Sequence, residues 1–274
     1  MLLKEIESFL EEDLGQKDYG EIALYTDCKA EITVREGGIL AGLTEAKEIF
    51  DYFSVDCSTE FKDGDRINSG EIILRVSGLD AKILMAERLV LNFLGQMSGI
   101  ATLTRMFVDE VRKVSEHVKV AGTRKTTPGF RKYEKKAIII GGGDPHRSGL
   151  YDAVILKDNH INLMGQEPAI KKAKELVSYT QKIVVEVESI DEAVRAAELG
   201  VDIIMFDNMS PAEVKECVQV LIERGLRAGV ILEASGGINM ENIKDFASTG
   251  VDALSSGMIT HSARSLDFSL NFVL

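Results

Sequence analysis

The residues most able to do chemistry in this sequence are ionisable side chains at or just after the ends of short apolar runs. Arg124 and Lys125 follow Val118 to Ala121, and Lys157 follows Ala153 to Leu156. His146 and Arg147 stand between these pairs, after the triple glycine Gly141 to Gly143. Glu186 and Asp207 occupy the corresponding places in the runs Ile183 to Val187 and Ile203 to Phe206. The carboxyl ends of strands are where α/β proteins keep their reactive groups. Arginine's planar fork matches carboxylates and phosphates with two hydrogen bonds, so the cations call for a substrate carrying several negative charges. Carboxylates on the same rim would repel such a substrate unless a hard cation lay between them. Mg²⁺ held by Glu186 and Asp207, directly or indirectly, and by substrate phosphates meets that need.

The elements that must position these groups alternate between strand and helix from Val118 onward. Strand candidates are Val118 to Ala121, Ala153 to Leu156, Ile183 to Val187, Ile203 to Phe206, Val230 to Leu232 and Ala253 to Ser255. Helical segments at Pro168 to Val177, Ile190 to Leu199, Pro211 to Glu223 and Met240 to Ala247 separate the later ones. That rhythm predicts right-handed crossovers and a parallel sheet. Polar or small residues recur at the strand ends, Lys157, Glu186, Asp207, Ser235 and Gly257, at spacings of 29, 21, 28 and 22. Such recurrence describes a barrel with its reactive groups on one rim. A complete eight-stranded barrel takes about 250 residues, more than remain, so an incomplete barrel is expected. Gly236 and Gly237, leading into the helix at Met240, offer backbone N–H groups to a phosphate, and Gly141 to Gly143 could do likewise.

The first part of the chain reads differently. Leu2 to Leu14 has amphipathic helical spacing, Ala30 to Val34 alternates as a half-buried strand, and Gly-rich turns bracket further short strands up to Val76. The phrase DGDRINSGEIILRVSG resembles the sandwich of biotin- and lipoate-carrying domains but lacks their hairpin lysine. Leu79 to Gln96 predicts a long helix, interrupted at Ser98-Gly99 and followed by another from Ala101 to Val114. Arg88, beside Glu87 in the first of these, fits a solvent-facing ion pair as well as it fits a function. Lys119 to Lys136 holds seven Lys or Arg against one Glu; Arg131, Lys132, Lys135 and Lys136 within it read as a solvated helix face.

Composition narrows the function classes. The 274 residues carry a net charge of −12, which disfavours nonspecific contact with nucleic acid or anionic membrane. Cys28, Cys57 and Cys217 form neither a disulfide framework nor a zinc pattern, as in a reducing compartment. Acidic residues interrupt MLLKEIESFLEEDLG where a signal peptide would be apolar, and no apolar run approaches a membrane span. A cytoplasmic protein is expected.

EEDLG, AERLVLNFLGQMSGIAT, TRKTTPGFR, GGGDPHRSGLYDAVILKDNHI, VEVES, MFDN, EASGGI and SSGMITHS together resemble the quinolinate phosphoribosyltransferase family, in that family's order and nearly end to end. The resemblance implies an N-terminal α/β sandwich domain followed by an open α/β barrel of the type II phosphoribosyltransferase kind. The expected bounds are 1–103, with 265–274 rejoining it, and 104–264 for the barrel. It implies a homodimer, or a hexamer, acting on quinolinate and phosphoribosyl pyrophosphate with Mg²⁺. Carried over by motif, Thr123, Arg124, His146, Arg147 and Lys157 would hold quinolinate, and Arg88 would reach it across the dimer. Lys125, Glu186 and Asp207 would be catalytic, and with Ser235, Gly236, Gly237 and Gly257 would face phosphoribosyl pyrophosphate. Glu186 and Asp207 would face its metal.

Gly122 stands where the family often has an acidic residue, and Pro145 replaces its usual asparagine. A paralogous group associated with molybdenum transport shares a PHR block but lacks KDNH, which is intact here. The alternatives are a phosphoribosyltransferase for another aromatic acid (nicotinate, or the paralogue's substrate), a barrel aldolase with Lys157 as Schiff base, and a non-enzymatic metabolite sensor.

Overall fold

The computed structural model describes residues 1–15 and 25–273; 16–24 and 274, which the expected N-terminal domain and its returning tail also include, lie outside the described residues. The chain divides into two compact units, Met1–Leu103 with Ala263–Leu274, and Thr104–Ser262.

In the first unit, helix α1 (Leu3–Leu14) buries Ile6 and Leu10, and β1 (Asp27–Val34) buries Ala30, Ile32 and Val34 on one face. Next come β2 (Gly38–Ile39), α2 (Leu43–Tyr52), β3 (Asp56–Ser58), β4 (Arg66–Ile67) and β5 (Ile72–Leu79). The main sheet is antiparallel: the chain's final strand, Phe268–Val273, pairs with β1, which pairs with β5, which pairs with β3. β2 and β4 form a separate ribbon.

Helix α3 runs unbroken over Asp80–Arg112, where two helices parted at Ser98-Gly99 were expected. Both residues serve tertiary contacts instead of ending the helix. Ser98 Oγ accepts from the Ala41 backbone N–H at 2.9 Å and donates to the Ala41 carbonyl at 3.1 Å. A Cβ on Gly99 would lie 2.1 Å from the Arg264 carbonyl oxygen, so the bare backbone is what lets the returning tail approach.

The second unit follows the strand–helix rhythm. Its elements are β6 (Lys119–Ala121), α4 (Arg131–Gly141), β7 (Ala153–Leu156), α5 (Asp158–Met164) and α6 (Gln166–Leu176), then β8 (Lys182–Val187) and α7 (Ile190–Glu198). β9 (Ile203–Asp207), α8 (Pro211–Glu223), β10 (Ile231–Ser235), α9 (Ile243–Ala247), β11 (Ala253–Ser255) and the short α10 (Met258–His261) complete it. The six strands are parallel in the order β6-β11-β10-β9-β8-β7. β6 and β7 stand at opposite ends of that order, so the barrel is open. Val184, Val185, Ile204, Phe206, Leu232, Ala234 and Leu254 are buried on its strands. Helix starts follow from local chemistry: Ser210 Oγ accepts from Glu213 N–H, the Glu213 carboxylate accepts from Ser210 N–H, and Pro211 takes the first helical position. Among the described residues no helix is long and apolar enough to cross a membrane.

Candidate active site

A cleft of about 760 Å³ opens at the carboxyl ends of the barrel strands. Thr123, Arg124, Lys125, His146, Arg147 and Lys157 line it on the cationic side, and Glu186 and Asp207 on the acidic side. Ser235, Gly236, Gly237 and Gly257 line it as well. Of the residues singled out from sequence, Arg88 is not among those lining this cleft. It is an exposed residue of α3, and no ion pair joins it to Glu87 among the described residues.

The cationic wall is built by turns rather than by strands. Lys125 N–H donates to Thr123 Oγ1 at 3.1 Å, and the Lys125 carbonyl accepts from Thr260 Oγ1 of α10 at 2.7 Å. These leave the Arg124 and Lys125 side chains exposed in the cleft. His146 takes a left-handed backbone (φ 55°), with its N–H given to Asp144 Oδ1 at 2.8 Å. Its ring is fixed at both nitrogens. Nδ1 accepts the Arg147 N–H at 2.7 Å, so the ring proton lies on Nε2, which faces the Glu233 carboxylate at 3.3 Å. Arg147 Nη1 donates to the Ala153 carbonyl at 2.8 Å, which anchors the fork at the start of β7. Burial, and next the charge of Arg124, hold Arg147 below the ordinary arginine value. Two guanidiniums that oppose each other's charge make a site waiting for anions.

Across the cleft, Lys157 Nζ reaches Glu186 Oε1 at 2.5 Å. Burial lifts the Glu186 carboxyl above the usual carboxylate range; Lys157 pulls the other way, and Asp207 adds to the lift. Asp207 and Glu186 therefore act on one another electrostatically from neighbouring strands. Asp207 Oδ2 accepts from Asn208 Nδ2 at 3.0 Å, and the Asn208 backbone (φ 56°) bonds to the Ser235 carbonyl. Gly236 has φ +88°, and a Cβ there would stand 2.2 Å from Asn208 Oδ1, so only glycine fits. The carboxylate pair suits a hard cation shared with substrate oxygens. Among the described residues no cluster of three or more His, Cys, Asp or Glu could hold a metal alone.

Two expectations about glycines change. The helix after Gly237 starts at Ile243 rather than Met240 and has five residues. Asn239 and Asn242 hold the intervening turn by bonding each other's backbone and the Gly237 carbonyl. The Gly142 and Gly143 N–H groups are spent on the Ile139 and Ile138 carbonyls at the end of α4, so that stretch is a helix stop and not an anion cradle. Glu233, 3% exposed and partner to His146, also lines the cleft. It belongs to the EASGGI block, but a lone glutamate two residues before a strand end carries no local sign of burial. Asn208, Asn239, Ser256 and His261 join the lining in the same way.

Comparison with known proteins agrees over the whole chain. Residues 21–98 match the N-terminal domain of quinolinate phosphoribosyl transferase, and residues 100–271 match its C-terminal domain. A protein of Methanothermobacter thermautotrophicus described as a probable nicotinate-nucleotide pyrophosphorylase (carboxylating) is 46% identical, over 97% of this chain and 96% of its own. The human nicotinate-nucleotide pyrophosphorylase (carboxylating) is 36% identical over 97% of this chain and 89% of its own. The crystal structure of NadC from Streptococcus pyogenes superposes with a TM-score of 0.90 at 38% identity, covering 99% of this chain and 96% of that one.

Proposed function

The chain belongs to the quinolinate phosphoribosyltransferase family, and from that membership we propose that it joins quinolinate to phosphoribosyl pyrophosphate, giving nicotinate mononucleotide, pyrophosphate and CO₂. The observation that carries this reading is the division of one cleft by sign, with Arg124, Lys125, His146, Arg147 and Lys157 facing Glu186 and Asp207. Thr123, Arg124, His146, Arg147 and Lys157 bind the two quinolinate carboxylates. Lys125, Ser235, Gly236, Gly237 and Gly257 receive phosphoribosyl pyrophosphate. Glu186 and Asp207 are the residues that would hold Mg²⁺, which when bound neutralises charge on the diphosphate leaving group.

In the first step the C1′–oxygen bond to pyrophosphate breaks and the quinolinate nitrogen bonds to C1′. Fixed charges around the cationic ribosyl centre stabilise that transition state. The ring nitrogen is now positive, so the 2-carboxylate departs as CO₂ and leaves its electron pair on C2, which takes up a proton. No protein nucleophile is required. The Lys157–Glu186 pair weighs against the aldolase alternative, because a Schiff-base lysine must present a neutral amine. The chain acts as a homodimer, or as a hexamer, in the cytoplasm, with Arg88 completing the neighbouring subunit's site.

The test is a comparison of acids. With Mg²⁺ and phosphoribosyl pyrophosphate present, CO₂ and nucleotide are followed for quinolinate and, nucleotide alone, for nicotinate. Two carboxylates use the cationic wall fully, so quinolinate is expected to react far faster; comparable rates would overturn the assignment.

A further inference from the structure

Helix α4 carries three charged side chains that no step above uses: Arg131, Glu134 and Lys135, at i, i+3 and i+4 on one helical face. By sequence pattern Arg131 and Lys135 belong to a solvated face. Glu134 is 1% exposed and Lys135 5%. Buried charges are expensive unless hydrogen-bonded, so what they bond to is informative. All three reach the two turns that hold the cations of the cleft.

Glu134 accepts the Thr127 backbone N–H with both carboxylate oxygens, at 3.3 and 3.2 Å, just past Arg124-Lys125. Lys135 Nζ donates to the carbonyl of Pro145, the residue before His146. Arg131 spans both turns: Nε donates to Thr126 Oγ1 at 2.8 Å, and Nη1 to the Ser148 carbonyl at 3.0 Å. Backbone bonds join the end of β6 to the second turn, Gly122 N–H to the Asp144 carbonyl at 2.9 Å and Asp144 N–H to the Val120 carbonyl at 2.7 Å. The His146 backbone is left-handed, a conformation that persists in a non-glycine residue only when its surroundings hold it.

We infer that Arg131, Glu134 and Lys135 of α4 are positioning residues that set the spacing between the Arg124-Lys125 turn and the His146-Arg147 turn, and thereby the fit of the cationic wall to a dicarboxylate. None of them touches substrate. The inference rests on the quinolinate reading of the cleft and adds to it the device that holds the site in shape. Burial brings the Lys135 ammonium down to about 8; Arg131 pushes the same way, while Asp144, Glu134 and Asp152 oppose it. Lys135 therefore loses its charge, and part of its hold on Pro145, within a measurable pH range.

The experiment uses the full-length protein, with Lys135→Met, which keeps the stem and removes the ammonium, and Arg131→Met. KM is measured separately for quinolinate and phosphoribosyl pyrophosphate, with circular dichroism as the check on folding. Expected is a rise of about tenfold or more in quinolinate KM for both variants; phosphoribosyl pyrophosphate KM stays within about twofold of wild type for Lys135→Met, which bonds only the His146-Arg147 turn, and rises as well for Arg131→Met, which also bonds the turn that carries Lys125. Quinolinate KM unchanged in folded variants, or both KM values raised alike in Lys135→Met, overturns the proposal. Should the variants not fold, the wild type decides. Its quinolinate KM is expected to climb between pH 7 and 9 while the other KM stays level, and a flat profile overturns the proposal. Wild-type protein that does not turn over quinolinate at all refutes the functional reading instead, so the two failures are distinct.

Discussion

Replacing Lys157 by methionine removes one ammonium and keeps most of the side chain's bulk. A charge-assisted hydrogen bond is worth about 1.5–3 kcal/mol, which alone predicts roughly 10- to 150-fold weaker quinolinate binding. The free protein reduces that figure, because Lys157 is already bonded to Glu186 at 2.5 Å and must exchange one carboxylate for another. Its side chain is 49% exposed, so the existing pair is worth about 1 kcal/mol or less. The net expectation is a loss of roughly three- to thirtyfold, read by calorimetric titration of quinolinate.

The partner left behind supplies a second measurement. The Glu186 side chain is only 12% exposed and its carboxyl is lifted by burial, with Lys157 the main opposing influence. Without Lys157 the lift grows. A carboxyl raised in the folded state binds its proton more tightly there than in the unfolded chain. The stability it contributes is therefore present at low pH and lost as pH rises through the folded value. Lys157→Met should match wild type in urea unfolding near pH 4 and fall behind toward pH 7. The double variant Lys157→Met/Glu186→Gln should recover that stability without recovering quinolinate affinity. Quinolinate binding within twofold of wild type, or a stability deficit independent of pH, would refute this account of the pair.

The shared-site model predicts that Arg88→Ala and Lys125→Ala homodimers are both nearly inactive. Mixed and re-associated, random exchange makes about half the population heterodimers with one intact site each, so about a quarter of wild-type activity should return. No recovery after demonstrated exchange would mean that Arg88 serves its own chain. Chelation of Mg²⁺ should abolish nucleotide formation and weaken phosphoribosyl pyrophosphate binding while quinolinate still titrates; quinolinate binding lost to the same degree would place the cation on the wrong substrate.

Much of the barrel could be read from the sequence because its determinants are local. Strands such as Ala153–Leu156 and Ala253–Ser255 are short apolar runs bounded by polar residues, and Ser210, Pro211 and Glu213 write a helix start within four positions. A parallel barrel also puts every strand's carboxyl end on one rim, so residues far apart in sequence, Arg124 through Gly257, come together in one cleft by topology alone. What the sequence could not decide depends on contacts between distant segments. Gly99 looks like a helix breaker until the Arg264 carbonyl is seen against it. Arg131 and Lys135 look like solvated cations until the turns they bond to close over them. Glu233 is one glutamate among many until its strand places it beneath His146. In each case the side chain's intrinsic preference is weak, and the partner that overrides it is fixed only once the chain has folded.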